Sequence, residues 1–276
     1  MTKQTRNNLT QAQRERLDRF DAIHSVDVHC HCLPGLDDGP ATLPEALELC
    51  RALIQDGFTR AIATPHQLGR YDGRCQASEV RSTVAKLNAA LAQEGLPLEV
   101  VPGADVRVDE RIPALLEKDL VLTLADRGRH LLLELPPEVF IDLKPLFVEL
   151  AARGIEAVVC HPERNMLLSR TPQAVLPWLE QGAFLQVTAG SLLGEFGPAA
   201  ARSAWYWLGR GAIALVATDA HNIAGRPPRM SAALALISER LGYLEAKRLC
   251  IDNPLRVFKG QEMLPRRDSV SLRAAI

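Results

Sequence analysis

The stretch V-D-V-H-C-H-C-L-P-G-L-D-D-G, residues 26–39, joins a short apolar strand to a glycine-containing turn. Alternate residues of a strand face the same side, so His29 and His31 point together while Cys30 and Cys32 point to the opposite side. Two imidazoles on one face are poorly suited to a hydrophobic core and well suited to holding a metal ion. The stretch therefore predicts a metal site at the end of the first strand, with the cysteines as small core residues.

Short apolar runs alternate with helical segments along the rest of the chain. The predicted strands are residues 25–29, 60–64, 98–104, 130–135, 156–160, 183–188 and 212–218. A helix should begin at Thr42-Leu-Pro-Glu45, where the threonine and glutamate can form a capping box. Near-continuous apolar strands separated by helices indicate a parallel sheet covered by helices, and seven such units predict an α/β barrel related to the eight-fold type.

We expect all of the predicted strands to belong to one domain. No linker marks a second domain, so we expect a polar N-terminal extension over 1–24, one barrel domain over 25–260 and a mobile tail over 261–276. With 32 basic and 33 acidic residues, the chain has no charge excess that would favour nucleic acid. Its N-terminus lacks an apolar signal segment and no run reaches the roughly 20 residues of a membrane span, so we expect a cytoplasmic protein without membrane insertion.

Histidines and carboxylates recur where the predicted strands end. In barrels of β/α units the carboxyl ends of the strands meet at one mouth, where catalytic groups collect. The residues that share this position are His29, His31, Asp38, His66, Asp105, Glu134, His161, Asp219 and His221. Four carboxylates in one concave mouth repel each other, whereas three divalent cations would leave a slightly positive pocket suited to a phosphate dianion. Mixed imidazole and carboxylate ligands favour manganese, iron or zinc over calcium or magnesium.

Two arginines lie beside these candidate ligands. Arg164 follows His161 by three residues, and Arg226 follows His221 by five, before two prolines that stiffen the loop. A guanidinium group binds phosphate oxygens through two parallel hydrogen bonds. The two arginines are therefore predicted to bind a phosphoryl group.

The motifs D-V-H-C-H-C-L-P-G-L-D-D-G-P, A-T-P-H, V-P-G-A-D-V, L-L-L-E-L-P, C-H-P-E-R-N, Q-V-T-A-G-S-L-L-G-E-F-G and A-T-D-A-H-N-x-x-x-R-P-P occur in this order over residues 25–258. Together they resemble the polymerase-and-histidinol-phosphatase (PHP) superfamily and, within it, bacterial manganese-dependent protein-tyrosine phosphatases of capsule and exopolysaccharide biosynthesis. The resemblance implies a single-domain, distorted seven-stranded (β/α) barrel that holds three metals, most often Mn²⁺, with iron or zinc as alternatives.

The same resemblance assigns roles to residues. The implied metal ligands are His29, His31, Asp38, His66, Asp105, Glu134, His161, Asp219 and His221. Arg164, Arg226 and His66 would be catalytic, and the two arginines would also bind the substrate. Asp37 remains an alternative to Asp38 as a ligand. The family usually has Glu at the position of Asp105, so the shorter side chain leaves the occupancy of the third metal site open.

The implied reaction is hydrolysis of phosphotyrosine on a protein by attack of a metal-bound hydroxide. The implied partner is an autophosphorylating tyrosine kinase that controls capsule synthesis, through its tyrosine-rich tail. Two alternatives stay open: a phosphatase of small molecules such as histidinol phosphate or a nucleotide, and a regulatory PHP domain with weakened catalysis.

One further motif has the spacing of a different phosphatase class. Cys75 and Arg81 match the C-x5-R spacing of cysteine-dependent tyrosine phosphatases, but the five residues between them contain no glycine. Glycines allow backbone N–H groups to surround a phosphate. We therefore interpret this spacing as coincidental and expect no cysteinyl-phosphate chemistry.

Overall fold

Strands and helices alternate over residues 25–266, the part of the chain that the computed structural model describes. The strands within these residues are β1 (Ser25–Cys30), β2 (Phe58–Ala63), β3 (His66–Gln67), β4 (Glu99–Pro102), β5 (Asp105–Arg107), β6 (His130–Glu134), β7 (Glu156–Cys160), β8 (Phe184–Thr188) and β9 (Ile213–Ala217). All pairings between these strands are parallel, as the apolar runs predicted.

Helices connect most of the strands. The α-helices within residues 25–266 are α1 (Leu43–Gln55), α2 (Ala77–Gln93), α3 (Ile112–Glu117), α4 (Lys144–Ala151), α5 (Leu176–Glu180), α6 (Ala189–Leu192), α7 (Gly197–Gly209), α8 (Met230–Leu241), α9 (Tyr243–Lys247) and α10 (Asn253–Phe258). A π-helical turn, Arg248–Asp252, joins the last two helices. Short 3₁₀ turns include Gly69–Tyr71 and Pro162–Arg164. None of the helices in the described range is long and apolar enough to cross a bilayer.

The strands form two sheets. The first has the order β1-β2-β4 and the second has the order β3-β5-β6-β7-β8-β9. The prediction of seven strands is therefore wrong in number, since nine strands occur within residues 25–266. The difference arises from two short strands that the prediction missed: β3 follows the second predicted strand, residues 60–64, and β5 follows the third, residues 98–104.

Interruptions at Pro65 and Gly103 separate these two short strands from β2 and β4. Proline has no backbone N–H for a sheet hydrogen bond, although the Pro65 carbonyl accepts one from the Asp105 N–H at 3.1 Å. A Cβ atom at position 103 would lie 2.6 Å from Cγ2 of Ile62, so glycine permits this close approach. Beyond the interruptions, His66 and Asp105 are paired in the β3–β5 register, which places these two candidate ligands side by side.

The first and last strands meet at their carboxyl ends. The Asp219 N–H donates to the His29 carbonyl at 2.8 Å, and the His31 N–H donates to the Ala220 carbonyl at 2.9 Å. Side chains of β1 add to this connection: the Cys30 thiol donates to the Ala220 carbonyl at 3.8 Å, and the Asp27 carboxylate accepts from the Thr218 N–H at 3.1 Å. The histidine pair of β1 therefore lies directly beside the aspartate that follows β9.

Helix α1 illustrates how local sequence fixes an element. The Thr42 Oγ1 accepts from the Glu45 N–H, and the Glu45 carboxylate accepts from the Ala41 N–H at 2.8 Å, one residue before the predicted capping-box partner. The helix buries Leu49 and Leu53 in the core. Cys30 and Cys32 are also fully buried, as the alternation in β1 predicted.

The first residues of the predicted C-terminal tail contact the rest of the domain. Residues 261–266 are within the described range, where Met263 is buried and the Arg266 guanidinium donates to the carbonyls of Leu179 and Ala183. These contacts hold residues 261–266 against the domain, and the predicted domain boundary at residue 261 stays a prediction. The predicted N-terminal extension 1–24 and residues 267–276 lie outside the described residues.

Candidate metal centre

Five histidine rings converge at the carboxyl ends of the strands. These are His29, His31, His66, His161 and His221, and each residue is at most 9 % exposed. The rings of His31 and His221 are stacked, with centroids 3.8 Å apart, and the centroids of His31 and His66 are 4.5 Å apart. The structure therefore brings together the five histidines that were predicted to follow strand ends.

Three of the rings are oriented by hydrogen bonds from Nδ1. That nitrogen contacts Asp37 at 2.6 Å in His31, Gln186 at 2.9 Å in His29 and the carbonyl of Asp219 at 3.0 Å in His221. Such partners fix the ring orientations and direct Nε2 of His29 and His31 toward the cluster, whereas Nε2 of His221 lies 2.8 Å from the Arg226 guanidinium. The Nε2 atoms of His29 and His31 then face each other at 3.2 Å.

Asp37 and Asp38 have different surroundings. The buried Asp37 carboxylate accepts from His31, from the His66 N–H at 3.0 Å and from the Gly39 N–H at 3.0 Å. The Asp38 Oδ1 instead lies 3.4 Å from Nε2 of His66 and 3.5 Å from Nε2 of His221. The geometry therefore favours Asp38 as the ligand and gives Asp37 the task of orienting His31.

The other carboxylates lie among the rings. Asp219 Oδ1 is 3.2 Å from Nε2 of His29 and 3.3 Å from Nε2 of His31. Asp105 Oδ2 is 3.3 Å from Nδ1 of His66 and 3.9 Å from Nε2 of His161. This Asp105 oxygen is fully buried and makes no hydrogen bond of good geometry, so the neighbouring imidazoles or a bound cation must compensate its charge.

The donor atoms form four groups, in each of which they lie within 4.8 Å of one another. These groups are His31, Asp38, His66 and His221; His29, His31 and Asp219; His66, Asp105 and Glu134; and His29, Cys160 and His161. Imidazole and carboxylate donors at this spacing suit first-row transition metals. The residues present therefore fit a cluster of divalent cations.

Charges in the cluster perturb one another strongly. Burial by itself lowers the pKa of His29 and of His66, but neighbouring carboxylates outweigh it and raise these pKa values to about 9 and about 11. Burial and the Asp105 charge raise the pKa of Glu134 to about 7. Perturbed carboxylates and imidazoles in one cleft are typical of functional sites.

Two site residues adopt a left-handed backbone conformation. His161 has φ 33° and Asp219 has φ 53°, a region that residues other than glycine rarely adopt. Both residues directly follow or nearly follow a strand, where this turn redirects the side chain toward the mouth. Strain of this kind persists where the surrounding structure holds it, and it is frequent at functional sites.

Four arginines contact the carboxylates of the cluster. Arg164 and Arg226 both donate to Oδ2 of Asp219. The two arginines that were predicted to bind a phosphoryl group therefore lie side by side. Sequence analysis missed the other two: Arg107, 2.8 Å from Glu134, and Arg70, 2.6 Å from Asp38. Arg107 could have been found, since it follows Asp105 by two residues in a strand and so shares its face.

A cavity opens beside this cluster. It is lined by Asp38, His66, Leu68, Arg70, Tyr71, Arg107, Glu134, Leu135, Pro137, His161, Arg164, Asn165 and Arg226. Its wall combines candidate metal ligands, all four arginines and a few apolar side chains. The cavity therefore offers a phosphate ester positive charge from the arginines beside the candidate metal ligands.

Cys75, the cysteine of the C-x5-R spacing, is not arranged to bind phosphate. Cys75 is buried, donates to the Leu36 carbonyl at 3.0 Å and has a pKa that burial raises to about 12, while Arg81 pairs with Asp119 and Asp126. The C-x5-R spacing thus forms no phosphate loop.

Cys160 was missed by the sequence analysis. Its thiol donates to Oδ1 of Asp105 at 3.2 Å and lies 3.4 Å from Nε2 of His161. Its place at the end of β7, immediately before a candidate ligand, was the available signal.

Known proteins resemble the chain over most of its length. The sequence profile of the family "Capsular polysaccharide synthesis, CpsB/CapC" matches residues 25–259. Tyrosine-protein phosphatase YwqE of Bacillus subtilis is 34% identical over 219 residues, which cover 79% of this chain and 85% of the relative. Tyrosine-protein phosphatase CpsB of Streptococcus pneumoniae is 25% identical over 244 residues, covering 86% of this chain and 99% of the relative.

A solved structure is also similar. It belongs to a study of YwqE from Bacillus subtilis and CpsB from Streptococcus pneumoniae, described as unique metal-dependent tyrosine phosphatases. It superposes with a TM-score of 0.84 at 31% sequence identity and covers 88% of this chain and 98% of that one. The resemblance thus extends from the motifs to the whole domain.

Proposed function

Because the chain belongs to the CpsB/CapC family of capsular polysaccharide synthesis, we propose that it is a metal-dependent protein-tyrosine phosphatase. The observation that carries the proposal is the cluster of inward-facing imidazoles and carboxylates beside an arginine-lined cavity. Cysteine chemistry is disfavoured, since the Cys75 thiol is buried with a raised pKa. The reaction proposed is hydrolysis of the phosphate ester of a tyrosyl side chain.

We propose three divalent cations, with Mn²⁺ as the main candidate and iron or zinc as alternatives. The ligands would be His29, His31, Asp38, His66, Asp105, Glu134, His161, Asp219 and His221, divided among the donor groups described above. The short Asp105 still contacts His29, His66 and His161, so its carboxylate would help to hold cations beside these rings. Bound cations would supply the acidity that turns water into a nucleophile near neutral pH.

The protein's own residues would bind and orient the ester. Arg164 and Arg226, which now share the Asp219 carboxylate, would turn toward the phosphoryl oxygens and neutralise charge in the transition state. Their guanidinium groups stay charged at all relevant pH values. His66 lines the cavity, and its ring nitrogen that is not bound to a cation would hydrogen-bond the ester near the leaving tyrosyl oxygen.

The fold that supports this site is proposed to be a distorted (β/α) barrel. The interruptions at Pro65 and Gly103 divide two of seven barrel positions, and the hydrogen bonds between Asp219, His29, His31 and Ala220 support closure between the first and last positions. Closure would bring the carboxyl ends of all positions to one mouth.

The substrate would be a tyrosine-phosphorylated protein, and the proposed partner is an autophosphorylating bacterial tyrosine kinase of capsule synthesis acting in the cytoplasm. The testing experiment compares kcat/KM of the Mn²⁺-loaded chain for a tyrosine-phosphorylated peptide and for histidinol phosphate. A higher value for the peptide supports the proposal, and a higher value for histidinol phosphate favours a small-molecule phosphatase.

Metal analysis separates an enzyme from a regulatory domain. Elemental analysis of the purified chain should give two or more metals per chain, with Mn²⁺-stimulated hydrolysis of p-nitrophenyl phosphate. Fewer than two metals and no stimulated hydrolysis would favour the regulatory domain.

A further inference from the structure

Exposed apolar side chains collect on the loops at one side of the catalytic cavity. They are Val139, Phe140, Met166, Leu167 and Phe196, here called the apolar rim. Their exposed fractions range from 36% to 51%. Four of them lie on the loops that follow β6 and β7, and Phe196 lies between helices α6 and α7. An exposed apolar cluster of this kind on a folded domain commonly marks a binding surface.

The two loops that carry most of the apolar rim are bound to each other. The Asn165 side chain donates to the carbonyls of Pro136 at 2.8 Å and Val139 at 3.0 Å, and the Met166 N–H donates to the Pro137 carbonyl at 2.8 Å. Asn165 is only 3% exposed, so these bonds are shielded from water. The side chains of Val139 and Met166 therefore belong to neighbouring segments of one surface.

Two further residues of the apolar rim, Phe140 and Phe196, pack against other side chains. The ring of Phe140 stacks on Trp178 with centroids 5.4 Å apart and planes 3° apart. The Arg164 guanidinium lies 4.6 Å from the centre of the Phe196 ring. The rim is thus a fixed surface that continues directly from a proposed phosphate ligand.

The apolar rim extends beyond what a small phosphate ester would reach. Arg164, Asn165 and Pro137 line the cavity, whereas the rim residues next to them in the chain do not. A small ester held at the metals would be enclosed by the cavity alone. A ligand that also covers the rim must continue outward from the phosphorylated group, as a polypeptide does on both sides of a phosphotyrosine.

We propose that the apolar rim binds apolar residues that flank phosphotyrosine in the substrate polypeptide. This inference rests on the proposed function and specifies its substrate class. A lipid surface is a poorer occupant, because exposed Glu138 and Asp142 flank Val139 and Phe140 and would repel an anionic membrane.

The experiment measures kcat/KM for three substrates with the Mn²⁺-loaded chain. They are a phosphotyrosine peptide flanked by leucine and valine, the same peptide flanked by serine and glycine, and p-nitrophenyl phosphate. We expect the wild-type chain to favour the apolar peptide by about tenfold, the effect of burying one or two apolar side chains. The double variant Val139→Ser, Met166→Ser should lose this preference, chiefly through a higher KM for the apolar peptide.

The matched control is the double variant Val148→Ser, Leu244→Ser, which removes apolar side chains that are 63% and 80% exposed on helices α4 and α9. It should keep the preference. Met166→Ser alone should lose about half of it on a logarithmic scale, and thermal melting should confirm that each variant is folded.

Several results would overturn the inference while the proposed function stands. They are equal kcat/KM for both peptides in the wild-type chain, an unchanged preference in the rim variant, or an equal loss in the control. Loss of binding to anionic vesicles, or of self-association, without a change in peptide preference would assign the rim to a membrane or a second copy instead. If the wild-type chain hydrolyses p-nitrophenyl phosphate but neither peptide, the proposed function itself fails.

Discussion

The Nδ1 atom of His31 lies 2.6 Å from the carboxylate of Asp37, and this contact turns Nε2 of the same ring toward Asp219. The aspartate that follows His31 by six residues thus orients a candidate metal ligand. Carboxylate partners of this kind fix the tautomer and orientation of metal-binding histidines.

Replacing Asp37 should weaken metal binding without removing a ligand. In Asp37→Asn, an amide N–H₂ must occupy a position where both oxygens now accept hydrogen bonds, from His31 and the His66 N–H on one side and the Gly39 N–H on the other. We expect a loss of about 10- to 100-fold in Mn²⁺ affinity, measured by calorimetric titration. Asp119→Asn, which changes an exposed partner of Arg81, should leave the affinity unchanged. Equal affinities in both variants would contradict the role of Asp37.

Histidine and cysteine variants distinguish the two phosphatase mechanisms. His29→Ala removes a ring that contacts His31, Asp105 and Asp219, so metal content and hydrolysis of p-nitrophenyl phosphate should both be lost. Cys75→Ser should retain full activity, because that thiol donates a hydrogen bond to the Leu36 carbonyl, which a serine hydroxyl can also donate. The opposite pattern, active His29→Ala and inactive Cys75→Ser, would exclude the metal mechanism.

The arginines should affect turnover more than metal content. Lysine keeps the positive charge but lacks the planar fork that binds two oxygens. We expect Arg164→Lys and Arg226→Lys each to lower kcat/KM for p-nitrophenyl phosphate about 100-fold, with Mn²⁺ content unchanged. Arg81→Lys, at an exposed ion pair, is the matched control and should behave as wild type. A loss of metal in the first two variants would show that they act on the ligand Asp219 instead.

Metal binding should release protons and strengthen with pH. The neighbouring carboxylates outweigh burial and raise the pKa values of His29 and His66 to about 9 and about 11, so both rings are protonated at neutral pH in the metal-free chain. A cation must displace about two protons there, and its affinity should rise as pH increases toward about 9. Titration of Mn²⁺ in buffers of different ionisation enthalpy would count these protons. An affinity independent of pH between about 6 and 9 would contradict the prediction.

These raised pKa values also determine whether the stability of the metal-free chain rises or falls with pH. A histidine that is more basic when folded stabilises the fold below its usual pKa and loses that contribution as pH rises through its folded pKa. For His29 the loss therefore runs from about 6.5 to about 9. The melting temperature of the metal-free chain should fall over this range, while saturating Mn²⁺ should reverse the trend.

Much of the site was already encoded locally. The alternation of His29 and His31 with Cys30 and Cys32 predicted both the shared face of the imidazoles and the burial of the thiols. The positions of His66 and Asp105 after apolar runs likewise predicted their convergence, and the structure pairs them in the β3–β5 register. Periodicity and strand ends are properties of the covalent chain, so sequence reasoning reaches them.

Other features were inaccessible to that reasoning. The separation of β3 and β5 from the strands before them, at Pro65 and Gly103, depends on how closely Ile62 approaches the glycine, which is a packing distance. The distinction between Asp37 and Asp38 depends on which carboxylate is enclosed by the turn and which faces His221. Adjacent residues of the same type have no sequence signal that separates these two environments.

By itself, the sequence determined the alternation of strands and helices, the residue types at the strand ends and the family of motifs that they form. Only the tertiary structure decided which of those residues touch, as when Gln186 orients His29 from 157 positions away. It also placed Arg70, Arg107 and Cys160 among the candidate ligands. The physical reason is that side-chain periodicity arises from the local backbone, whereas hydrogen bonds and ion pairs between distant segments exist only once the sheets have packed.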